Sequence, residues 1–219
     1  MILSEIADIH QGFPFRSRVE SEAGGVVAVV QARDLGPDGE VVTDSAVRIR
    51  QRPGGAKGLL QPGDVVLQPR GTRFSAAAYT DPKTTAVAAA PLLILRTEPE
   101  MVLPAFLVAF LGSPASQAFL RQAAVGTYVP QVPRQALANL HLDLPDLTSQ
   151  AALVDLVRLE RREVELMDRL RDARARLFGL ALKDLGRKNR RHAEAPGLEP
   201  SGKPVPKAMH AQSAGEDNG

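Results

Sequence analysis

Cysteine and tryptophan are absent from this chain of 219 residues, and aromatic side chains make up only 4% of it. Without cysteine the protein can form no disulfide and use no thiolate, so we expect it to work in the reducing interior of the cell, in the cytoplasm. The first residues lack a basic segment followed by an apolar one, which argues against a secretion signal. No apolar run approaches the roughly 20 residues that cross a bilayer, so we predict no membrane segment.

Recognisable catalytic and metal-binding patterns are also missing. The four histidines, His10, His141, His192 and His210, lie far apart, and none has a second histidine at the spacing of a metal site. The chain contains no glycine-rich phosphate loop and no nucleophile motif of the G-x-S-x-G type. We therefore predict neither a metal nor a cofactor, and we expect that the chain is not an enzyme by itself.

What the chain does contain is 44% apolar residues, enough to build one core. Short β-branched runs and apolar helical runs share residues 1–147, which predicts a mixed α+β domain of the α/β class. Ser4 is the predicted N-cap of an opening helix and Ser113 that of a later one. The predicted strands are Val26–Val30, Val47–Arg52, the run that begins at Asp64, Ser75–Tyr79, Ala86–Ala90, Leu92–Leu95 and Leu140–Leu144. The predicted helices are Pro104–Leu111, Pro114–Gln122 and Gln135–Asn139.

A heptad repeat follows the predicted domain. Eight of the ten positions reached in steps of four and three from residue 152 to residue 184 are apolar, and no proline interrupts the run. This a/d spacing places one narrow apolar seam along a helix over residues 148–185, roughly 50 Å long, and requires a second helix to cover it. The predicted coiled-coil contacts are the leucines of the seam, Leu156, Leu159, Leu166, Leu170, Leu177 and Leu180.

A helix packed back on its own domain is the alternative interpretation of the same run. The seam is narrow and its flanks carry charges of both signs, so contact with another helix is the better prediction. Thr148 or Ser149 is the predicted N-cap of this helix. Residues 186–219 hold four prolines and no periodicity, which predicts a disordered basic tail.

Positive charge is concentrated in one part of the predicted domain. The chain carries a formal charge of only +2, but residues 47–75 hold six cations against a single acid, Asp64. A local basic stretch on an otherwise balanced domain is typical of a directed polyanion-binding face. The candidate polyanion-binding residues, which the resemblance given below makes candidates for DNA binding, lie in this stretch and in polar loops after strands: Gln31, Arg33, Arg48, Arg50, Arg52, Arg70, Thr72, Arg73, Thr127, Tyr128, Gln131 and Arg134.

Several short motifs, taken in order, resemble one known family. The chain opens with Leu3-Ser4-Glu5-Ile6-Ala7-Asp8-Ile9-His10-Gln11-Gly12, continues to Leu60-Gln61-Pro62-Gly63-Asp64-Val65-Val66, and later reaches Gly126-Thr127 before Val129-Pro130-Gln131-Val132. A long helix from Gln150 follows Pro145. Over about residues 1–185 this order resembles one half of the specificity subunit of type I restriction–modification systems.

The resemblance implies a target-recognition domain of mixed α/β structure, followed by a long helix that pairs antiparallel with its counterpart. The usual subunit of that family carries two such units, so this chain is expected to act as a half-subunit that dimerises through the helix. The dimer would read double-stranded DNA at two symmetric half-sites. The implied partners are a methyltransferase subunit and, in the full complex, a translocating nuclease subunit.

Two other hypotheses remain open at this point. The chain is an interaction module, or a decoy specificity fragment, that binds the methyltransferase partner without reading DNA; it would then dimerise but show no salt-dependent DNA affinity. The third hypothesis, an enzyme with an unrecognised site, is tested by a turnover assay on the isolated protein.

Overall fold

Two β-sheets packed face to face form the centre of the domain, as the computed structural model of residues 1–51 and 58–193 describes it, with side chains described as far as residue 185. The strands are β1 (Ala7–Gln11), β2 (Val27–Val30), β3 (Val47–Ile49), β4 (Val65–Leu67), β5 (Ala76–Ala78), β6 (Ala86–Ala88) and β7 (Leu93–Thr97). The helices are α1 (Pro104–Gly112), α2 (Pro114–Ala123), α3 (Arg134–Ala138) and α4 (Leu147–Ala193). Two 3-10 turns, Leu3–Glu5 and Ala32–Asp34, complete the described elements.

The first sheet is antiparallel, in the order β1-β7-β4-β5, and its two faces serve different cores. Val65 and Leu67 pack against the helices, whereas Val66 between them packs against the second sheet. Alternate strand residues point to opposite faces, so a short run of valine and leucine with no polar residue supplies both cores.

The second sheet has the order β3-β2-β6, with β3 antiparallel and β6 parallel to the central β2. Ala28 and Val30 face the first sheet. Val27 and Val29 face the other way, where Phe13 and Phe15 cover them. The predicted strand Val26–Val30 is therefore present as Val27–Val30 and is buried on both faces, whereas Val26 lies before it and is exposed.

Helices α1 to α3 cover the outer face of the first sheet. Leu107 and Leu111 of α1 and Leu120 of α2 are fully buried there. Ser113 caps α2 as predicted, because its Oγ accepts a hydrogen bond from the Ser116 amide at 3.2 Å.

A buried charged pair connects Asp64, in the turn that precedes β4, with Arg96 of β7. Asp64 is 1% exposed and accepts two hydrogen bonds from Arg96, at 2.8 and 2.7 Å.

Two predicted elements differ in the structure. The predicted opening helix after Ser4 is one 3-10 turn, after which the chain becomes β1, because Ala7 and Ile9 alternate with polar residues and pair with β7. In the described part of the chain, Leu140–Leu144 forms no strand: it makes an isolated bridge from His141 to Ile2, and Leu140 and Leu142 are buried in the core. Tertiary pairing decided both cases, and local pattern did not reveal it.

Helix α4 is present, as the heptad repeat predicted, but its first residue and its cap differ from the prediction. It begins at Leu147, and Asp146 caps it by accepting a hydrogen bond from the Ser149 amide at 2.8 Å. Thr148 and Ser149 already lie inside the first turn, so the predicted cap is wrong. The helix continues to Ala193, beyond residue 185 where we expected it to end. Compact units of the chain divide within this helix, after Leu166. None of the described helices is long and apolar enough to cross a membrane.

Candidate nucleic-acid interface

Two loops that lie far apart in the sequence are joined side by side. Residues 69–73 follow β4, and residues 125–134 link α2 to the start of α3; we call them the paired loops. The Gly71 amide donates to the Pro130 carbonyl, and the Val132 amide to the Pro69 carbonyl, each at 2.9 Å. Arg70 and Gln131 form a backbone bridge between them. Gly71 has a φ of +109°, a backbone conformation that suits glycine and allows the tight approach.

Side chains reinforce this junction and leave an exposed polar surface. The Nε atom of Arg70 donates to Gln131 Oε1 at 2.8 Å. Tyr128, at the tip of the second loop, is 99% exposed. Six of the predicted DNA-binding residues thus share one surface: Arg70, Thr72, Arg73, Thr127, Tyr128 and Gln131. A set of arginine, hydroxyl, amide and aromatic side chains supplies the donors and stacking surfaces that DNA contacts use.

The remaining candidates lie outside this shared surface: Arg134 is at the end of the second loop, where α3 begins, and the others belong to other parts of the domain. Gln31 and Arg33 follow β2 in the second sheet, and Arg48 lies within β3. Arg48 donates to the Thr43 carbonyl at 3.5 Å, and Arg50 Nε to the Ala23 carbonyl at 2.7 Å, so both guanidinium groups contact their own backbone surroundings. Arg134 lines a separate depression beside Asp8 of β1. Arg52 lies outside the described residues.

Sequence reasoning missed two arginines close to Gln31. Arg16 and Arg18 are exposed in the segment that follows Phe15. Arg18 and Phe15 line a depression together with Gln31 and Pro91. The signal was present in the sequence, as two arginines two positions apart next to an aromatic residue, which is a common composition for nucleic-acid contacts.

The leucines of the seam are exposed along α4. Leu156 and Leu159 are 62% and 69% exposed, and Leu170, Leu177 and Leu180 range from 46% to 66%. Val154, on a different face of the same helix, is only 7% exposed because it packs into the core of the domain. The domain therefore covers one face of the helix and leaves the heptad face without a partner among the described residues.

The first turns of α4 are attached to the domain by a buried glutamine. Gln150 is fully buried; its Nε2 donates to the carbonyls of Met101 and Pro145 at 2.9 and 2.8 Å, and its Oε1 accepts from the Leu103 amide at 2.9 Å. All three partners are backbone atoms. Gln150 also lies four residues before Val154, and this polar residue on a buried face was the signal in the sequence.

Metal binding has no support in the part of the chain that the structure describes. No group of three or more histidine, aspartate or glutamate side chains there could hold an ion. The buried carboxylate of Asp64 is engaged by Arg96, and the hydrogen bond between them raises the pKa of Arg96.

Comparisons with known proteins give structural matches only. No family model and no curated protein matches the sequence. Twelve chains of solved structures are similar to it. The HsdS subunit from Thermoanaerobacter tengcongensis has a TM-score of 0.55 at 17% identity, over 77% of this chain and 38% of that one. The S subunit of a type I restriction–modification system from M. genitalium has a TM-score of 0.50 at 13% identity, over 75% of this chain and 39% of that one.

A third structure comes from work on complex assembly and conformational transition of the type I R-M system; it has a TM-score of 0.57 at 19% identity, over 77% of this chain and 39% of that one. This chain thus spans less than two fifths of the length of these neighbours. At identities this low, the structural similarity shows the fold alone. The predicted fold class is confirmed. The chain has the fold of a type I restriction–modification specificity subunit, a mixed α/β domain followed by a long helix.

Proposed function

We propose that this chain is a DNA-recognition subunit that directs a type I restriction–modification methyltransferase assembly to its target. In this proposal residues 1–147 read one half-site, and residues 148–185 pair with the same helix of a second copy. Residues 186–193 of the predicted tail are helical, and residues 194–219 lie outside the described part of the chain. The chain itself performs no chemistry. The methyltransferase subunit, and a translocating nuclease where one is present, supply it.

The exposed seam is the observation that carries the proposal. The leucines of the seam are about half exposed or more, and the opposite face of the helix already packs on the domain. Burial of this apolar stripe against another helix would stabilise it. The neighbours with this fold are more than twice as long as the matched region. A second copy of this chain would supply both the missing helix and a second recognition domain, related by a two-fold axis.

The paired loops support DNA as the ligand. Arg70 and Arg73 lie in the first loop, and an arginine side chain can pair with the O6 and N7 atoms of guanine through two parallel hydrogen bonds. The double attachment between the loops reduces the entropy lost when they order on DNA. Arg16 and Arg18, beside Gln31, would extend the contact to phosphates.

Sedimentation analysis followed by selection from a randomised duplex pool tests the proposal. We expect a dimer that selects an inverted repeat with a fixed spacer. Affinity for this sequence should fall as salt is added, with a slope of log K against log salt of about 0.9 per phosphate contacted. A dimer that selects nothing, alone or with its methyltransferase bound, would favour the decoy function instead. A monomer would contradict self-pairing.

A further inference from the structure

Helix α4 is attached to the recognition domain at a second point, three turns beyond Gln150. Arg161 Nη1 donates a hydrogen bond to the backbone carbonyl of Asp38. The two attachments are 11 residues apart, which along a helix is about 16 Å. One attachment would leave the start of the helix free to pivot, whereas two fix the direction of residues 150–161 relative to the domain.

Between these two points Val154 packs into the core of the domain, and a cleft opens beside it. The cleft, of about 300 Å³, lies between α1 and α4, with Leu103 and Val108 on one side and Val154 and Val157 on the other. In a filled interface, side-chain packing would hold the helix angle against small rotations. Because the cleft interrupts this packing, the Arg161 contact at its far end shares in holding the helix angle.

The loop that accepts this contact is itself held firmly. The Ala78 amide of β5 donates to the Gly39 carbonyl at 2.8 Å, and the Val41 amide donates to the Ala78 carbonyl at 2.9 Å. Gly39 has a φ of +88°, and a Cβ atom there would lie 2.9 Å from Val108 and 3.0 Å from Arg161. Glycine is favoured at this position by the positive φ, and also because the backbone passes close to Val108 and to the guanidinium group of Arg161.

We propose that Arg161 is a positioning residue that sets the distance between the two half-sites read by the dimer. The inference rests on the proposed function, because the angle between helix and domain affects the distance between the two half-sites only when the helix pairs with that of a second copy. A rotation of about 6° moves the far side of a domain about 30 Å across by about 3 Å, close to the rise of one base pair. Loss of the contact should therefore change spacer selection and leave half-site sequence unchanged.

Duplex selection with Arg161→Ala and with Arg162→Ala tests this inference. Arg162 is the matched control, because it is the next residue on the same helix and its guanidinium group contacts Glu165 of α4, at 2.6 Å. We expect wild type and Arg162→Ala to select one spacer length. Arg161→Ala should select the same half-sites with spacers one base pair shorter and longer as well, at an unchanged melting temperature.

The results of the selection distinguish failure of the Arg161 inference from failure of the proposed function. If Arg161→Ala selects the same single spacer as the control, Arg161 does not set the spacing, and the proposed function stands. If wild type selects no repeat, the proposed function fails, and the inference fails with it.

A measurement without DNA uses the absence of cysteine in the chain. A spin label at Glu20→Cys, an exposed site on the domain, reports the distance between the two copies of a dimer. We expect a wider distance distribution in Arg161→Ala than in Arg162→Ala. Equal widths would overturn the positioning role.

Discussion

Arg70 both joins the paired loops and is one of the residues that we propose to contact DNA. Its backbone bridges to Gln131 and its Nε atom donates to the side chain of the same residue, at 2.8 Å. A guanidinium group has five N–H donors, and this contact uses the one on Nε. The side chain is thus oriented before any ligand arrives, as a residue that reads bases requires.

Replacing Arg70 and Arg73 together by alanine should remove sequence-selective DNA binding and leave the dimer intact. Each two-bond pairing with guanine contributes about 1–3 kcal/mol of discrimination, so preference for the selected duplex over a scrambled one should fall at least about tenfold. Fluorescence anisotropy with both duplexes measures this preference. The matched control replaces both arginines by lysine, which keeps the charge but loses the fork geometry; it should retain binding to the scrambled duplex. Unchanged selectivity in the alanine variant would remove this loop from the interface.

The buried ion pair between Asp64 and Arg96 is expected to stabilise the fold. Replacing it by asparagine breaks its pairing with Arg96, whose side chain is 33% exposed, and we expect a loss of about 2–3 kcal/mol in the free energy of unfolding. Urea denaturation followed by circular dichroism measures the change. Asp155→Asn is the control: its pairing with Arg158 is 3.6 Å long and exposed, so its loss should stay within about 0.5 kcal/mol. Equal losses in the two variants would contradict the role of burial.

Composition and loop position were enough to predict the individual candidates of the interface, such as Arg70, Tyr128 and Gln131. Their grouping was not predictable, because the pairing of residues 69–73 with residues 125–134 depends on where β4 and α2 lie in three dimensions. Arg16 and Arg18 were missed for a similar reason: the second sheet brings their loop beside Gln31. Residue type thus predicted the chemistry, and tertiary contact determined which residues share a surface.

The start of helix α4 shows how an element is determined by a few local contacts. Asp146 lies outside the helix and accepts the Ser149 amide, which satisfies one of the unpaired donors of the first turn. This hydrogen bond from the backbone lowers the pKa of Asp146. The carboxylate form is therefore the one that stabilises the helix start.

A pH dependence follows from this lowered pKa. A carboxyl whose folded pKa lies below its unfolded value, near 3.9, stabilises the helix fully above that value and loses its effect as pH falls through the folded pKa. An NMR titration of the Ser149 amide from about pH 6 to about pH 2 should show a transition in wild type. Asp146→Asn keeps an oxygen acceptor without a titrating charge, so its Ser149 amide should show no such step. The same step in both proteins would contradict the assignment.

Gln150 is predicted to anchor the first turns of the helix. Gln150→Leu would leave the Leu103 amide and the carbonyls of Met101 and Pro145 buried without their side-chain partner, at a cost of about 2–4 kcal/mol in the free energy of unfolding. Urea denaturation measures it. Gln122→Leu, an exposed position on α2, is the control and should change stability by less than about 0.5 kcal/mol. An equally stable Gln150→Leu variant would rule out the anchor.

Periodicity predicted the elements that are long or buried on both faces. The heptad repeat predicted α4, and the valine run predicted β2. Short half-exposed segments were less predictable: residues 7–11 carry apolar residues at positions compatible with a helical turn, and only their pairing with β7 selects the strand. The predicted cap of α4 was wrong because Asp146, Thr148 and Ser149 are all good N-cap residues, and sequence alone does not choose among them.

At the scale of the whole molecule, the seam predicts a dimer that can be separated without unfolding. Leu166→Asp with Leu170→Asp places two charges in the predicted contact between helices, where their desolvation opposes pairing, and should yield a folded monomer in sedimentation analysis. Val164→Asp with Phe178→Asp is the control, since both residues are similarly exposed but lie off the seam. A dimer that persists in the first variant would count against the seam, and an unfolded chain would show that these leucines serve the domain.

Both attachments of α4 have one feature in common: Gln150 and Arg161 bind backbone atoms of the domain. Backbone groups are the same whichever side chains the domain carries, apart from the glycine favoured at residue 39. The loops that we propose to contact DNA could therefore accumulate substitutions over many generations while the helix stayed in place. New target sequences would then arise by drift in one part of the molecule, with assembly inherited unchanged.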